Sequence, residues 1–467
     1  MKRREHQKIE VKRINRKKTK QDFMKRKFLI ASMVAFAVSR ATVSGQETGN
    51  EMVLSLGEAQ EYAIQHNKMA ISARLDVEAS RMAFWQTVSA GLPQISSSAG
   101  FTDNLKQMVF LIPDFFGNPD EKIEITMGSQ YNASVGLQAS MLLFNAPYLV
   151  GIETTKLARK LAETNVNSTE LDIRESVASV YYLILVSEES LRILDGNLAN
   201  LRETLKSTQT MFSVGMAEST DVDQMVSNVN MVENSRSSLG RTIELNYNML
   251  RFQLGVPSDT RIRLTGTLED FTKEINVEAL LSQEFNYTSN LTYKLVEGQE
   301  QLSALGLKAQ KAQVLPTVAG VISTTKTGMG DEVSNINWYN SSLVALQMSI
   351  PIIASGQRYA AIKKAQFNLE KAKNTKEMVS DQLKIQEKQL RYNLVNANLQ
   401  YTSQKENVEV SRRVYESMEN KFRQGMASSL ELTQANSLFL QAENNYISAL
   451  MNLLQTRLAL DKLLNNM

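Results

Sequence analysis

An apolar seam with helical spacing runs through the C-terminal part of the chain, from Gly356 to Gly425. Its residues are separated by three, four or seven positions, which is the spacing of a helix that buries one narrow stripe. The segment 356–467 contains no proline, and its only glycines are Gly356 and Gly425. We therefore predict a helix over 357–423, about 100 Å long at about 1.5 Å per residue. Gly425 is expected to turn the chain so that a second helix, 429–464, packs back on the first.

This helical hairpin occurs twice in the sequence. FSVGMAESTDVDQ at 212–224 aligns with FRQGMASSLELTQ at 422–434 at an offset of 210, and VGLQASMLLF at 135–144 aligns with VALQMSIPII at 344–353 at an offset of 209. Further matches lie at an offset of 223: Asn67 with Asn290, and Leu92-Pro93 with Leu315-Pro316. The chain is therefore predicted to be a tandem duplication whose loops differ in length.

The first copy begins with a helix signal of its own. An S-x-x-E capping box at 55–58 predicts a helix from 56 to about 90. Leu92-Pro93 ends that helix, because the residue before a proline disfavours helical geometry. Helices are then predicted over 148–212 and 219–254, which matches the pair in the second copy.

Strand-like sequence precedes each long helix. Apolar residues occupy every second position over 131–143 and again over 343–350, which is the alternation of a β-strand. Weaker strands at 94–105 and 317–329 are the predicted partners, so each copy contributes a hairpin. In the first copy a long loop joins the two strands, and it contains Phe110, Pro113, Phe115, Phe116 and Pro119.

Four strands of this length have two possible locations. If tilted, they are long enough to cross a hydrocarbon layer. Four strands cannot close a barrel, and lipid does not tolerate open sheet edges, so several chains would have to build one barrel. The alternative is a small sheet packed on the helices of a soluble protein. The export signal, the duplication and the very long helices favour the membrane.

The N-terminal segment has the order of a secretory signal peptide. Lys25-Arg26-Lys27 precede an apolar run over 28–38, and small residues follow at 43–45. Met24 stands directly before the basic residues and is a second candidate start. The predicted organisation is a signal peptide at 1–45, a first repeat at 46–255, an irregular bridge at 256–275 and a second repeat at 276–467.

Charge and composition narrow the function classes. Residues 1–45 hold 14 Lys/Arg and 3 Asp/Glu, which leaves 38 basic and 46 acidic residues and a net charge of −8 after their removal. A nucleic-acid interaction of the basic segment 2–20 is an alternative, but the acidic remainder argues against such a partner. Cysteine is absent, so the chain has no disulfide and no thiolate metal site. His66 is the single histidine outside the leader and is expected to be a surface residue, so we predict no enzyme, no metal and no cofactor.

Taken together, these motifs resemble the TolC-like outer-membrane efflux channels over roughly 54–464. The resemblance implies a mainly α-helical fold with a transmembrane β part, in which each chain gives four strands to a trimeric 12-stranded β-barrel. The barrel would continue as a long periplasmic α-helical barrel. The implied partners are two further copies of the chain, outer-membrane lipid, a periplasmic adaptor and an inner-membrane efflux pump of the resistance-nodulation-division or ABC type.

The same resemblance assigns roles to the two turns at the ends of the long helices. Val214, Gly215 and Met216 match the family's docking motif for the adaptor, and Gln424, Gly425 and Met426 match it in part. For the methionines, local packing is the plainer interpretation.

Residues beside the turns correspond to the family's closing constriction at the periplasmic aperture. Asp221 holds the acidic position after the first turn, while Glu431 and Gln434 replace two inward aspartates of the prototype. The tyrosine and arginine that lock the prototype are replaced by Phe422 and Ala427. Carboxylates at a narrow aperture would favour cations. The alternative is that Asp221 and Glu431 are ordinary solvated charges in the first turn of a helix, where the helix dipole favours them.

The function that follows is a passive exit duct for small molecules such as drugs and metabolites, delivered by the pump through the adaptor. Two alternatives remain open from the sequence alone. One is a duct for an exported polypeptide, as in type I secretion, and the other is a structural periplasmic coiled-coil protein. The alternating strands argue against the latter, because a spacer does not need them.

Overall fold

The structure is a computed structural model, and it describes residues 51–113, 122–273 and 276–467. Contacts divide the chain into a unit Met1–Glu51 and a unit Met52–Met467, and the second unit is described below. The predicted signal peptide at 1–45 and the loop residues Phe115, Phe116 and Pro119 lie outside the described residues, so those expectations stay predictions.

Long helices dominate the unit Met52–Met467, and none of the described helices is both long enough and apolar enough to cross a membrane. The four long helices of the two hairpins agree with their predicted bounds within about two residues. The α-helices are α1 Leu56–His66, α2 Lys68–Ser89, α3 Ala146–Ser213, α4 Ser219–Leu254, α5 Leu268–Lys273, α6 Val277–Ser282, α7 Leu291–Ala312, α8 Gln357–Arg423 and α9 Ser429–Leu464, with a 3₁₀ turn at Tyr287–Ser289.

The single helix predicted from 56 to 90 is wrong, because the chain breaks at Asn67 into α1 and α2. Asn67 has extended backbone angles, and its Oδ1 accepts a hydrogen bond from the Met69 amide at 2.8 Å. Its Nδ2 donates to the Gln253 carbonyl at the end of α4, at 2.7 Å. This tertiary hydrogen bond, together with the side-chain cap, holds the side chain at 4% exposure and stops the first helix.

The second repeat contains the same junction. Asn290 caps α7 through the Thr292 amide at 2.9 Å and donates to the Leu463 carbonyl at 3.1 Å. Gln253 and Leu463 are separated by the same 210 residues as the two turn motifs. The duplication therefore extends from sequence to individual hydrogen bonds.

Four antiparallel strands form the main sheet, in the order β2 Gln94–Asp103, β5 Tyr131–Asn145, β7 Thr317–Gly330 and β8 Asn337–Ser349. All four agree with the predicted strands, and β8 begins earlier than predicted. Val135 lies opposite Ala99 on one side and Lys326 on the other. Because the order is linear, β2 and β8 are edge strands of this sheet within one chain.

Two regions expected to be irregular contain further strands. The loop between β2 and β5 includes a hairpin of β3 Met108–Pro113 and β4 Lys122–Met127. The bridge between the repeats includes β6 Ile262–Leu264, which pairs in parallel with β1 Met52–Leu54, and it also includes α5. The expectation that these two regions are irregular is therefore wrong. Residues 274–275 of the bridge lie outside the residues that the structure describes.

The main buried core lies where α1, α3, α4 and α9 meet beside the β1–β6 pair. Tyr181 is fully buried there, and its hydroxyl donates to the Leu54 carbonyl at 3.2 Å and accepts from the Gly266 amide at 3.1 Å. Burial raises the pKa of Tyr181 above its ordinary value. The short strands and the bridge are thus fixed to the side of the long helices.

The helices continue the sheet in the same order. α2 leads into β2, α3 follows β5, α7 leads into β7 and α8 follows β8. Packing contacts join α2 to α3, α3 to α7 and α7 to α8, so these four helices form an open layer. Beyond the Asn67 and Asn290 junctions, α4 and α9 take the places of α2 and α7 beside α3 and α8.

Candidate functional site

The two predicted turns have the same backbone geometry. Gly215 and Gly425 adopt φ angles of 76° and 70°. The amide of Met216 donates to the Met211 carbonyl, and the amide of Met426 donates to the Lys421 carbonyl, both at 2.8 Å. This pattern closes a helix with a left-handed residue, which glycine adopts without steric cost. The duplicated sequence therefore gives two equivalent helix ends.

The helix after each turn begins with a carboxylate that accepts hydrogen bonds at its N-terminus. Glu431 accepts from the Ser428 amide at 2.8 Å and from the Ser428 hydroxyl at 2.9 Å. Asp221 accepts from the Glu218 amide at 3.0 Å. The hydrogen bond from the Ser428 amide, and after it the one from the Ser428 hydroxyl, lower the pKa of Glu431 below its ordinary value.

A contact between the repeats distinguishes Asp221 from Glu431. The hydroxyl of Ser429, at the start of α9, donates to the Asp221 carboxylate. Ser429 is only 4% exposed, whereas Asp221 remains partly accessible. This hydrogen bond is the main cause that lowers the pKa of Asp221, and the Glu218 amide adds to it. Asp221, as an ionised hydrogen-bond acceptor, therefore connects the start of α4 to the start of α9.

The predicted docking residues form an exposed surface at the turns. Val214, Met216 and Met426 expose 65%, 77% and 67% of their surface, and Gln424 is also exposed. Leu430, which sequence reasoning did not single out, is 61% exposed beside them. Apolar side chains that remain this accessible on both turns leave a surface suited to a partner.

The predicted aperture residues separate into two groups. Glu431 and Gln434 are exposed on the first turns of α9. Phe422 is 6% exposed and packs with Tyr415, Leu432 and Ala435 between α8 and α9. Its ring is thus a packing group of the hairpin, while the two polar residues remain accessible.

Polar contacts that the sequence did not indicate connect the two helical hairpins. Asn228 donates to the Thr433 hydroxyl at 2.9 Å, and Asn197 donates to the Asn436 amide oxygen at 2.6 Å. Arg423 pairs with Glu203 at 3.3 Å. The paired residues are more than 200 positions apart along the chain, so no local pattern marks them.

The main sheet has one apolar and one polar face. Residues opposite each other in an antiparallel pair share a face, and the register sets Leu137 on the same face as Ser97 and Thr324. Val135 and Val344 on this face are 53% and 81% exposed, so they are not covered by the helices. The face consists mainly of Ile95, Phe101, Ala133, Val135, Leu137, Ala139, Met141, Ile322, Trp338, Val344, Leu346 and Met348. The same register also places five polar residues on it, Ser97, Thr324, Lys326, Asn340 and Ser342.

The opposite face is rich in serine, threonine, asparagine and glutamine. On β2 and β5 it carries Ser96, Ser98, Asn132, Ser134 and Gln138. A sheet with one lipid-like and one water-like face has the alternation of a transmembrane barrel wall. Phe101, Tyr131 and Trp338 lie at a similar level near the end of the sheet away from the helices, as aromatic residues do at a membrane interface.

The outer helices of the open layer carry uncovered apolar stripes. On α2, Leu75, Met82 and Trp85 are 62%, 56% and 54% exposed. Leu75 follows the buried Ala73 by two residues, so it lies about 200° around the helix from the packed side. On α8 the stripe consists of Phe367, Met378, Ile385, Tyr392 and Leu399, each at least 61% exposed.

An amphipathic open sheet that continues into an open layer of long helices defines a channel subunit with a β part and a helical part. Comparison with known proteins agrees with this class. The family model of the outer membrane efflux protein matches residues 61–256 and 299–466. The chain belongs to this family.

Individual relatives agree in sequence and in fold. The outer membrane protein TolC of Vibrio cholerae is 20% identical over 329 residues, which cover 67% of this chain and 68% of TolC. The VceC outer membrane protein of Vibrio cholerae has a TM-score of 0.69 and 14% identity over 88% of this chain and 95% of its own. The open MtrE outer membrane channel of Neisseria gonorrhoeae has a TM-score of 0.69 and 15% identity, covering 88% of each chain.

These findings confirm the TolC-like fold and the location in the outer membrane. The chain is an outer-membrane efflux channel protein and not an enzyme. A structural coiled-coil protein is not favoured.

Proposed function

We propose that three copies of this chain form a passive exit duct for small molecules, which an inner-membrane pump delivers through a periplasmic adaptor. In this proposal the repeats span 46–255 and 276–467, joined by the bridge 256–275, after removal of a signal peptide at 1–45. Pumps and adaptors are the working partners of the family, and the energy would come from the pump.

The observation that carries the proposal is the match between the two unfinished edges of the chain. One edge consists of β2 and the uncovered stripe of α2, and the other consists of β8 and the uncovered stripe of α8. Placing the second edge of one copy against the first edge of the next would pair the open strands and cover both stripes. Lipid does not accept unpaired strand edges, so closure must involve identical neighbours.

The geometry of the sheet supports a ring of three. Membrane barrels have eight or more strands. Two four-stranded sheets would give an eight-stranded barrel, whose interior is filled by its own side chains, whereas three sheets give twelve strands. A twelve-stranded barrel, with strands about 4.8 Å apart and tilted by about 40°, has a radius of about 12 Å. This leaves a lumen for the polar face of the sheet.

At the other end of the molecule, we assign the two turns to the adaptor and the aperture. Val214, Gly215 and Met216 with Gln424, Gly425 and Met426 are the proposed docking tips, because they are exposed and equivalent. Asp221, Glu431 and Gln434 are the proposed polar aperture residues, and Phe422 supports them from inside the α8–α9 hairpin.

The oligomer mass in detergent tests the assembly. We expect the mass of three mature chains, lost on boiling with a change in gel mobility. A purified monomer that stays soluble without detergent would contradict the duct.

Ion selectivity in single-channel recordings tests the aperture. Asp221→Asn combined with Glu431→Gln is expected to reduce the cation preference, because two carboxylates per chain lose their charge. Asp223→Asn, two residues from Asp221 and exposed, is the matched control and should leave selectivity unchanged. Unchanged selectivity in the double variant would remove both carboxylates from the aperture.

A further inference from the structure

The β3–β4 hairpin has a face made only of apolar side chains. Its opposing pairs on that face are Met108 with Met127, Phe110 with Ile125 and Ile112 with Ile123. On the other face, apolar residues of β3 lie opposite polar or charged residues of β4, for example Leu111 opposite Glu124. Phe110, Ile125 and Met127 are 45%, 38% and 64% exposed, so the described part of the chain does not cover this face.

The hairpin belongs to the end of the sheet that is away from the long helices. β3 follows β2 and β4 precedes β5, yet among the residues that the structure describes β3 and β4 pair only with each other, as a separate two-stranded sheet. The connection on the β5 side contains Gly128 at a φ of 108°, which changes the chain direction. The hairpin is thus an independent extension of the barrel mouth.

Hydrogen bonds fix the direction of its base. Asp331, in the connection between β7 and β8, accepts from the Gln130 amide at 3.2 Å and from the Gln107 side chain at 3.4 Å. Gln107 precedes β3 at the β2 edge, whereas Asp331 follows the third strand of the sheet. The base of the hairpin therefore crosses the end of the sheet instead of prolonging it.

We propose that the apolar faces of the β3–β4 hairpins from the copies of this chain pack against each other across the outer mouth of the channel and narrow it. This proposal rests on the trimeric duct proposed above. The base of each hairpin is held at Asp331, in the connection between β7 and β8, so each hairpin starts across the end of its own sheet. A six-residue strand is about 20 Å long at about 3.4 Å per residue, which exceeds the radius of about 12 Å of a twelve-stranded barrel, so three hairpins can meet.

Lipid is a poorer occupant of this face than a second copy. A two-stranded hairpin has two unpaired edges, and each unpaired amide and carbonyl is costly in hydrocarbon. An isolated hairpin in water is only marginally stable, and an all-apolar face exposed to water adds to that instability. Copies of the same hairpin cover the apolar faces without placing the open edges in lipid.

Cross-linking tests the contact directly, because the chain has no cysteine of its own. The variant Ile125→Cys in outer membranes is treated with a short bis-maleimide, beside the matched control Glu124→Cys on the opposite face of the same strand. We expect at least about fivefold more covalent dimer from Ile125→Cys. Equal or absent cross-linking in a protein that remains trimeric overturns the hairpin contact and leaves the duct intact, whereas a monomeric mass in detergent overturns both.

Two further measurements test whether lipid covers the apolar face and whether the hairpins narrow the channel. A bimane label on Ile125→Cys, if quenched by brominated phospholipid more than the label on Glu124→Cys, shows lipid on the apolar face and overturns the proposal.

Phe110→Ser is expected to raise single-channel conductance by about 1.5-fold or more, while Leu111→Ser on the other face leaves it unchanged. Equal conductance in the two variants overturns the narrowing.

Discussion

Two buried asparagines set the junctions between the short and long helical segments. Asn67 caps α2 and holds the end of α4, and Asn290 caps α7 and holds the end of α9. Each side chain satisfies one backbone amide and one backbone carbonyl that would otherwise lack a partner at a helix end. The repeated asparagine was visible in the sequence, but its partners more than 170 residues away were not.

We expect Asn67→Ala to lower the free energy of unfolding by about 1–3 kcal/mol. The substitution leaves the Gln253 carbonyl without its donor and removes the cap of α2. Thermal unfolding in detergent is the measurement, and Asn290→Ala should give a similar loss. Gln65→Ala, exposed on α1, is the control and should change stability by less than about 0.5 kcal/mol. An Asn67 variant as stable as this control would contradict the role of the junction.

The hydrogen bond from Ser429 to Asp221 is expected to make the start of α4 sensitive to acid. Since the folded-state pKa of Asp221 is lowered, its stabilising contribution is complete above the ordinary carboxyl pKa and is lost as the pH falls through the lowered value. Hydrogen exchange of peptide 219–225, corrected for the intrinsic pH dependence of exchange, should show protection at neutral pH that declines in acid.

Ser429→Ala should reduce the neutral-pH protection of this peptide and shrink the decline in acid. The matched control is Ser219→Ala, which changes the exposed serine at the equivalent position of the first repeat. If Ser429→Ala and Ser219→Ala gave the same exchange profile, the contact between the turns would have no effect on the start of α4.

At the scale of elements, the two helical turns are the clearest products of the duplication. Gly215 and Gly425 have left-handed backbone angles, and a Cβ at either position would meet no atom within 4 Å. The cost of a larger residue there is therefore set by the backbone alone. Non-glycine residues pay about 1–2 kcal/mol in this conformation.

Gly425→Ala is accordingly expected to destabilise the α8–α9 hairpin by about 1–2 kcal/mol, and Gly215→Ala should do the same for α3–α4. Gly240, in the interior of α4, also has open space around its Cβ position. Gly240→Ala should have the opposite sign and stabilise by up to about 1 kcal/mol, because alanine is the better helix former. Denaturant unfolding of the three variants checks the signs, and equal effects would contradict the turn geometry.

The long helices and the main strands could be predicted because their patterns are local. The seam of α8 and the alternation over 131–143 each repeat many times within one element. The β3–β4 hairpin was missed because β3 carries apolar residues on both faces, so its sequence does not alternate. The pairing of Asp221 with Ser429 was missed because it depends on how the two repeats pack, which residue spacing along the chain does not encode.

At the scale of the whole molecule, the sheet and the helices are incomplete in the same way. The edge strand β2 continues from α2, and the edge strand β8 continues into α8, so the unpaired strands and the uncovered stripes lie on the same two sides of the chain. One rotational symmetry operation between copies can therefore pair the open strands of the sheet and cover the exposed stripes of the helices at the same time. Assembly of the barrel and assembly of the helical part should be inseparable.

A charged stripe on α2 should consequently prevent assembly of the entire channel. Met82→Glu combined with Trp85→Glu places two carboxylates where the neighbouring α8 is expected to pack, and burying unpaired charges is costly. We expect the association constant of the trimer in detergent, obtained by light scattering over a series of protein concentrations, to fall at least about tenfold, which corresponds to about 1.4 kcal/mol. Ala83→Glu is the matched control, since Ala83 is exposed on α2 but lies about 80° or more from Leu75, Met82 and Trp85 around the helix. A double variant that assembles as well as this control would show that α2 does not contact a second copy, and the ring would then need a different boundary.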